Sequence, residues 1–350
     1  MQTVSREMLL TKAAELLEAG VVDRALGWKK GEFIYDVTPA VFRSAADMEK
    51  DFVWGEFCGA NFSKYLVAET RKPGSKVLVF LKPCDSYSFN QLLTEHRFDR
   101  EKVFAIALPC DGMADIGKIR TLAGEDVVNV VREEETVKLE TLFDGTVQTT
   151  WQDVLAERCL NCKSRLAVAY DAYFDENGEY HAEAYTAEAG VAPAGKYGDV
   201  RENGRFDQVE ALEKMTPDER FAFWQKELSR CIRCNACRDV CPACTCEKCV
   251  FDNPKSGVES KAPVNDFEDQ MFHIIRAFHV AGRCTDCGEC SRVCPQHIPL
   301  HLLNRKFIRD IDELYGNYQA GAVVGSRAPL VNYTKDDPEP GEAVLWERGK

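Results

Sequence analysis

Sixteen cysteines in 350 residues dominate the chemistry available to this chain. Two stretches concentrate them. Cys231-x2-Cys234-x2-Cys237-x3-Cys241-Pro242 recurs as Cys284-x2-Cys287-x2-Cys290-x3-Cys294-Pro295. Three thiolates on a tight loop can cap three irons of a cubane, and the proline turns the chain away after the fourth cysteine. In two-cluster domains the fourth cysteine of each run ligates the other cluster. The spacing therefore assigns Cys231, Cys234, Cys237 and Cys294 to one 4Fe–4S centre and Cys241, Cys284, Cys287 and Cys290 to a second. Structural zinc rarely uses such runs.

A further set comes from the first half of the chain. KVLVFLKPCD (76–85) and VFAIALPCDG (103–112) are short apolar runs, each ending in Pro-Cys-Asp. Both read as buried strands of one sheet, so Cys84 and Cys110 fall side by side at the strand ends. Cys159 and Cys162, in C-L-N-C, supply the remaining thiols for a third cluster. Cys58, Cys244, Cys246 and Cys249 are then left over. The last three converge from one loop, and Cys58 completes the set if the N-terminal domain docks there. Three assignments stay open for these four: a fourth 4Fe–4S cluster, a zinc or redox-inactive set, or a different pairing among all sixteen.

Disulfides explain the load less well. The chain is neither small nor preceded by an apolar signal region, and most cysteines lie two or three residues apart, which suits ligation in a reducing cytoplasm. The net charge is −13 with no basic patch, which argues against nucleic acid. No run approaches the length of a membrane span. Neither a Ser/His/Asp set nor paired carboxylates stand out, so no catalytic residue is assigned.

These residues need elements to position them. Helical periodicity covers 5–19, with Gly20 as the stop. A helix around Tyr87–His96 between the two Cys-terminated strands makes a β-α-β unit and a parallel sheet. Short strands and an Asp144–Gly145 turn occupy 127–148, and 150–158 reads as a helix capped by Thr150. Thr216, Pro217 and Glu219 form a capping box that opens a helix into Cys231. A second helix, 266–281, carries Phe267, Met271, Ile274, Ile275 and Phe278 as its expected core stripe. A third follows Pro299 with Leu303, Phe307, Ile311 and Leu314. The expected class is α+β: an α/β N-terminal domain with a small, mostly parallel sheet, plus a mostly helical dicluster domain. The boundaries are 1–171, a linker or irregular arm at 172–215, the dicluster domain at 216–318 and an extended tail at 319–350.

KPCD, LPCDG and CLNC followed by AYD resemble the β-subunit family of coenzyme F420-reducing hydrogenase and F420-dependent formate dehydrogenase. In that family similar Pro-Cys and C-x2-C elements line a 4Fe–4S site, and formate dehydrogenase β-subunits carry a dicluster segment with a C-P-x-C-x-C-x2-C continuation, as at 241–249 here. The resemblance covers most of 75–310. The 53 residues between the starts of the two runs are similar to the spacing in helical dicluster ferredoxins of respiratory and heterodisulfide reductases. The resemblance implies FAD and F420 binding. Its glycine-rich flavin stretch has only GEFCGANFSKYL (55–66) as a counterpart, with Gly55 and Gly59, and no G-x-G-x-x-G occurs.

The resulting expectation is a cytoplasmic iron–sulfur electron-transfer subunit of an anaerobic oxidoreductase complex. Its expected partners are a catalytic dehydrogenase or hydrogenase, a flavoprotein, or a heterodisulfide reductase-like subunit. The alternative is a flavin-containing subunit that itself reduces F420 or a nicotinamide.

Overall fold

A computed structural model describes residues 3–74, 76–162, 166–187, 204–253, 255 and 266–331. Four parallel strands form the centre of the N-terminal half: Val22–Lys30, Lys76–Leu81, Val103–Ala107 and Ala172–Phe174, paired in that order. Val37–Phe42 and Phe52–Val53 add antiparallel neighbours to the first strand, and Tyr180–His181 closes the far edge. Val77 to Leu81 are buried without a break, as expected of a strand covered on both faces. Helices Arg6–Glu18, Ser63–Glu69 and Pro83–Thr94 belong to this half. The first is capped by Ser5, and Gly20 follows it at φ 68°.

The β-α-β unit is present as expected, with one shift. The connecting helix starts at Pro83, not near Tyr87, because proline at its first position presets the helical φ and Asp85 reaches back to the Lys82 N–H. Cys84 thus sits in the first helical turn, past the end of the strand.

Val127–Glu133, Thr136–Thr141 and Thr146–Thr150 form a separate antiparallel sheet, with Gly145 in its second turn at φ 85°. The helix expected over 150–158 is broken. Thr150 caps only Trp151–Val154. Leu155 bridges to Ala114 and the Ala156 N–H donates to Met113, so the chain extends before turning again at Glu157–Leu160.

The segment expected as a linker from 172 onwards does not run as one. Ala172–Phe174, Tyr180–His181 and Tyr185–Thr186 are strands. Strands of two or three residues are too short to show an alternating pattern, which is why the sequence hid them. Residues 188–203 and 332–350, including most of the expected tail, lie outside the described residues.

The C-terminal half is helical, with Pro217–Leu228, Asp266–Val280 and Leu300–Tyr315 as its long elements. The Thr216/Glu219 capping box forms as read. The apolar stripe expected of the middle helix is not its buried face. Phe267 and Phe278 are 68% and 62% exposed, while Asp269, Gln270, His273 and Arg276 are buried with Phe272 and Ala277. The helix turns its polar side towards the cysteine runs, which need charge and hydrogen bonds more than apolar cover. Leu314, in the stripe of the last helix, is also exposed. No helix among the described residues is long and apolar enough to cross a membrane.

After the last helix the chain returns across the N-terminal half. Gly321 has φ 75°, and a Cβ there would lie 1.9 Å from the Tyr87 carbonyl oxygen. Only glycine permits that approach. Gly321→Ala is expected to destabilise the protein by about 1–3 kcal/mol through overpacking, read as a lowered Tm. An unchanged Tm would show that this crossing carries no load.

Candidate metal centres

The two repeated runs have the same backbone. Arg233 and Asn235 in the first, and Asp286 and Gly288 in the second, all have left-handed φ, at 51°, 62°, 60° and 68°. They sit two and four residues after the first cysteine of each run. Such alternation gathers N–H groups into an anion-binding concavity, and the Arg233 N–H donates to Cys231 Sγ at 3.4 Å. A short helix follows each loop, Ala236–Asp239 and Glu289–Arg292.

Cys231, Cys234, Cys237 and Cys294 line one cavity of about 20 Å³. His273 lines it too, is 2% exposed, and neither ring nitrogen has a hydrogen-bond partner among the described residues. Burial, reinforced by Arg276 and Arg233, lowers its pKa to about 3, so the ring is neutral with an N–H to donate. Cys241 lies near Cys284, Cys287 and Cys290. Burial pushes these thiols up, Cys284 to about 12 and Cys290 to about 11, and the Cys241 sulfur adds to each. Between the two sets lies Arg276, 3% exposed, donating to the Cys237 carbonyl at 2.8 Å. Burial opposes its charge, but the sulfurs of Cys241, Cys237 and Cys290 outweigh burial. Among the described residues no carboxylate pairs with it.

Cys84, Cys110, Cys159 and Cys162 line a second cavity, of about 40 Å³. The Pro83 helix start delivers Cys84, and the loop after Val103–Ala107 delivers Cys110. Gly112 has φ 118°, and a Cβ there would lie 2.3 Å from Leu155 Cδ1 and 3.2 Å from Cys159 Cβ. That close approach sets the Cys110 loop against the Cys159 segment. Burial pushes Cys110 to about 12 and raises Cys84 and Cys159. Lys82 adjoins them, 1% exposed, bonded to Asp85 at 2.7 Å and to the Ala60 carbonyl at 2.9 Å. Burial opposes its charge, yet Asp85 and Cys84 hold its pKa above the usual value.

The last four cysteines are not brought together. Cys244, Cys246 and Cys249 line a third cavity, and Cys58 is absent from it. Cys58 is 1% exposed in the core of the sheet domain, and its Sγ donates to the Val53 carbonyl at 3.6 Å. Its apolar surroundings, with Trp54, Ala60 and Phe62 close in sequence and all buried, make it a small core residue. The expected set of four therefore lacks this member.

The two halves meet at one buried carboxylate. Glu289, 1% exposed and between two dicluster cysteines, is bound by Arg158 of the N-terminal half and by Arg292 at 2.7 and 2.8 Å. It also accepts the Asn61 N–H at 3.2 Å. Arg158 further donates to the carbonyls of Cys287 and Gly59, at 3.2 and 3.1 Å. Asp286 and Cys287 in turn form part of the wall of the Cys84 cavity. Ser88–Thr285 and the two-bond Arg283–Glu95 pair extend the contact. Glu289, Lys82 and Arg276 carry no sequence signal; a charged residue beside a cysteine run looks like any solvated charge until its burial is known.

The donor sets suit polynuclear clusters. None of the sixteen cysteines is in a disulfide. A four-thiolate zinc with bonds of about 2.3 Å would hold its sulfurs about 3.8 Å apart. Among the described residues, no three cysteine sulfurs lie within 4.8 Å of one another. Thiols raised this far are protonated at neutral pH, so iron binding must displace their protons.

Residues 227–298 match the model of the 4Fe-4S dicluster domain. The chain is 26% identical over 356 aligned residues to the F420-dependent formate dehydrogenase subunit beta of Methanocaldococcus jannaschii, covering 91% of this chain and 92% of that one. It is 25% identical to the F420-dependent formate dehydrogenase 1 subunit beta of Methanococcus maripaludis, over 76% and 78% of the two chains. A chain of the xenon-derivatised F420-reducing NiFe hydrogenase complex from Methanosarcina barkeri aligns at 14% identity and TM-score 0.36, covering 65% of this chain and 86% of that chain. The family resemblance read from the cysteine motifs thus agrees with the relatives found.

Burial alone would raise the Glu289 pKa, but Arg292 and Arg158 outweigh it and bring it down to about 2. A depressed carboxylate contributes stability above its unfolded pKa of about 4.3, and that contribution is lost as pH falls towards 2. Glu289→Gln is expected to cost about 3–5 kcal/mol, because it strands buried guanidinium charge, and to flatten the pH dependence of denaturant unfolding between about pH 4.3 and 2. A variant as stable as the parent at pH 7 would refute this.

Proposed function

We propose that the chain is an iron–sulfur electron-transfer subunit of a formate dehydrogenase-type or hydrogenase-type oxidoreductase, relaying electrons through at least three 4Fe–4S centres. The observation that carries this reading is the contact between the Cys84/Cys110/Cys159/Cys162 cavity and Cys287, a proposed ligand of the dicluster domain. A thiol set in each half of the chain, with a shared wall, supports a continuous relay.

Cys231, Cys234, Cys237 and Cys294 would hold one centre, Cys241, Cys284, Cys287 and Cys290 a second, and Cys84, Cys110, Cys159 and Cys162 a third. Bound, these centres supply one-electron storage and transfer. The protein's part is placement and tuning. Lys82 and Arg276 put buried positive charge beside the sulfurs, which favours the reduced state. His273 offers a neutral N–H towards its cavity, with the same effect on potential.

Partners are supported by the exposed aromatic face of the helix Asp266–Val280. Phe267, Ile274 and Phe278 share that face, and Phe278 packs on Phe307 with ring centroids 4.8 Å apart. Exposed apolar surface of this kind suits a subunit interface. The occupant proposed is a catalytic dehydrogenase or hydrogenase subunit, a flavoprotein or a heterodisulfide reductase-like module, in the reducing cytoplasm that so many unpaired cysteine motifs require.

Two measurements on anaerobically purified protein test the relay. The double variant Cys84→Ser/Cys110→Ser is expected to lose about four irons, one cubane, while the dicluster EPR signals persist; an unchanged iron count defeats the third centre. A wild-type visible spectrum showing stoichiometric flavin would replace the relay reading by that of a flavin-bearing subunit. Arg276→Gln is expected to lower the midpoint potential of a dicluster centre by tens of millivolts in EPR-monitored titration. Arg276→Lys should retain most of it. An unaltered potential in Arg276→Gln would deny the arginine its tuning role.

A further inference from the structure

Cys244, Cys246 and Cys249 line a cavity of about 390 Å³, far larger than those of the other thiol sets. Its remaining walls carry unusual charge. Five cations, Lys64, Arg71, Arg238, Arg276 and Arg283, line it against two carboxylates, Asp239 and Asp252. Arg276 is almost fully buried, and its Nε has no hydrogen-bond partner there. Cations in excess over carboxylates make the cavity favourable to an anion. Thiols facing the same space define that anion further. A 4Fe–4S core bound by three thiolates is such an anion.

Cys58 cannot be the fourth ligand, since it is enclosed in the sheet domain. The cavity wall offers another donor. His279 lies on the helix Asp266–Val280, one turn beyond Arg276, and lines the same space. In Rieske [2Fe–2S] centres imidazole replaces thiolate on one iron and raises the cluster's potential. We propose that this cavity takes a fourth 4Fe–4S cluster, ligated by Cys244, Cys246, Cys249 and His279. On binding, the three thiols give up their protons to solvent and the imidazole binds as the neutral ring.

The position gives the site a task. The Cys244 N–H donates to the Cys241 carbonyl at 3.0 Å. The site therefore abuts the second dicluster centre, while Cys246 is exposed at the surface. It is the point where electrons enter or leave the relay. This inference rests on the iron–sulfur reading above.

The test uses the full chain, loaded anaerobically with iron and sulfide. Wild type is expected to carry about sixteen irons, four cubanes, and to show strong 14N hyperfine coupling in pulsed EPR. Cys244→Ser/Cys246→Ser/Cys249→Ser should lose about four irons and keep the dicluster signals. His279→Cys should keep the iron and lose the nitrogen coupling, and it decides the matter if the triple variant does not fold. Unchanged iron in a folded triple variant, nitrogen coupling that survives His279→Cys, or zinc in this site would each overturn the proposal. Wild type with no dicluster signal at all would instead defeat the iron–sulfur reading beneath it.

Discussion

The arrangement of the whole molecule depends on one buried anion held between two cations. Glu289 stands inside the second cysteine run, yet its partners include Arg158, the residue before Cys159. A buried carboxylate cannot remain charged without such partners. Its two guanidiniums are therefore fixed in place, and with them the ends of two cysteine motifs from different halves of the chain. Gly59 and Gly288 leave the room that Arg158 needs; a Cβ on either would fall within 2.7 Å of its side chain. The separation of the two cysteine motifs is thus set by packing around one arginine.

Charge placement follows from the same logic. Each thiol set has a buried cation beside it: Lys82 near Cys84 and Cys110, and Arg276 among Cys237, Cys241 and Cys290. Lys82 is compensated by Asp85, whereas among the described residues no carboxylate pairs with Arg276. The helix Asp266–Val280 shows how far this demand reaches, since it spends its buried face on Asp269, His273 and Arg276 and leaves phenylalanines outside.

That helix also marks the limit of what the sequence made legible. The cysteine spacing announced the dicluster runs, and the β-branched runs before Cys84 and Cys110 announced two parallel strands. Both signals are local and chemically specific. The helix stripe misled because periodicity identifies an apolar face and cannot say whether the neighbouring surface is apolar. Cys58 misled for a related reason: counting assigned it to a site, but only tertiary packing could show that it belongs to the core with Trp54 and Phe62. The strands of 172–187 escaped because their pairing, and not their composition, makes them strands. Arg158 and Glu289 lie 131 residues apart and pair across the two halves, which no spacing rule reaches.

The wall shared by Cys287 and the Cys84 cavity has a consequence for retention. The cavity is completed only where the loop carrying Asp286 and Cys287 rests against the sheet domain. Anything those four thiols hold is therefore enclosed by both halves of the chain and not by one. Damage to the Glu289–Arg158 contact would loosen that wall, and would first appear as a chain that accepts its cargo and fails to retain it.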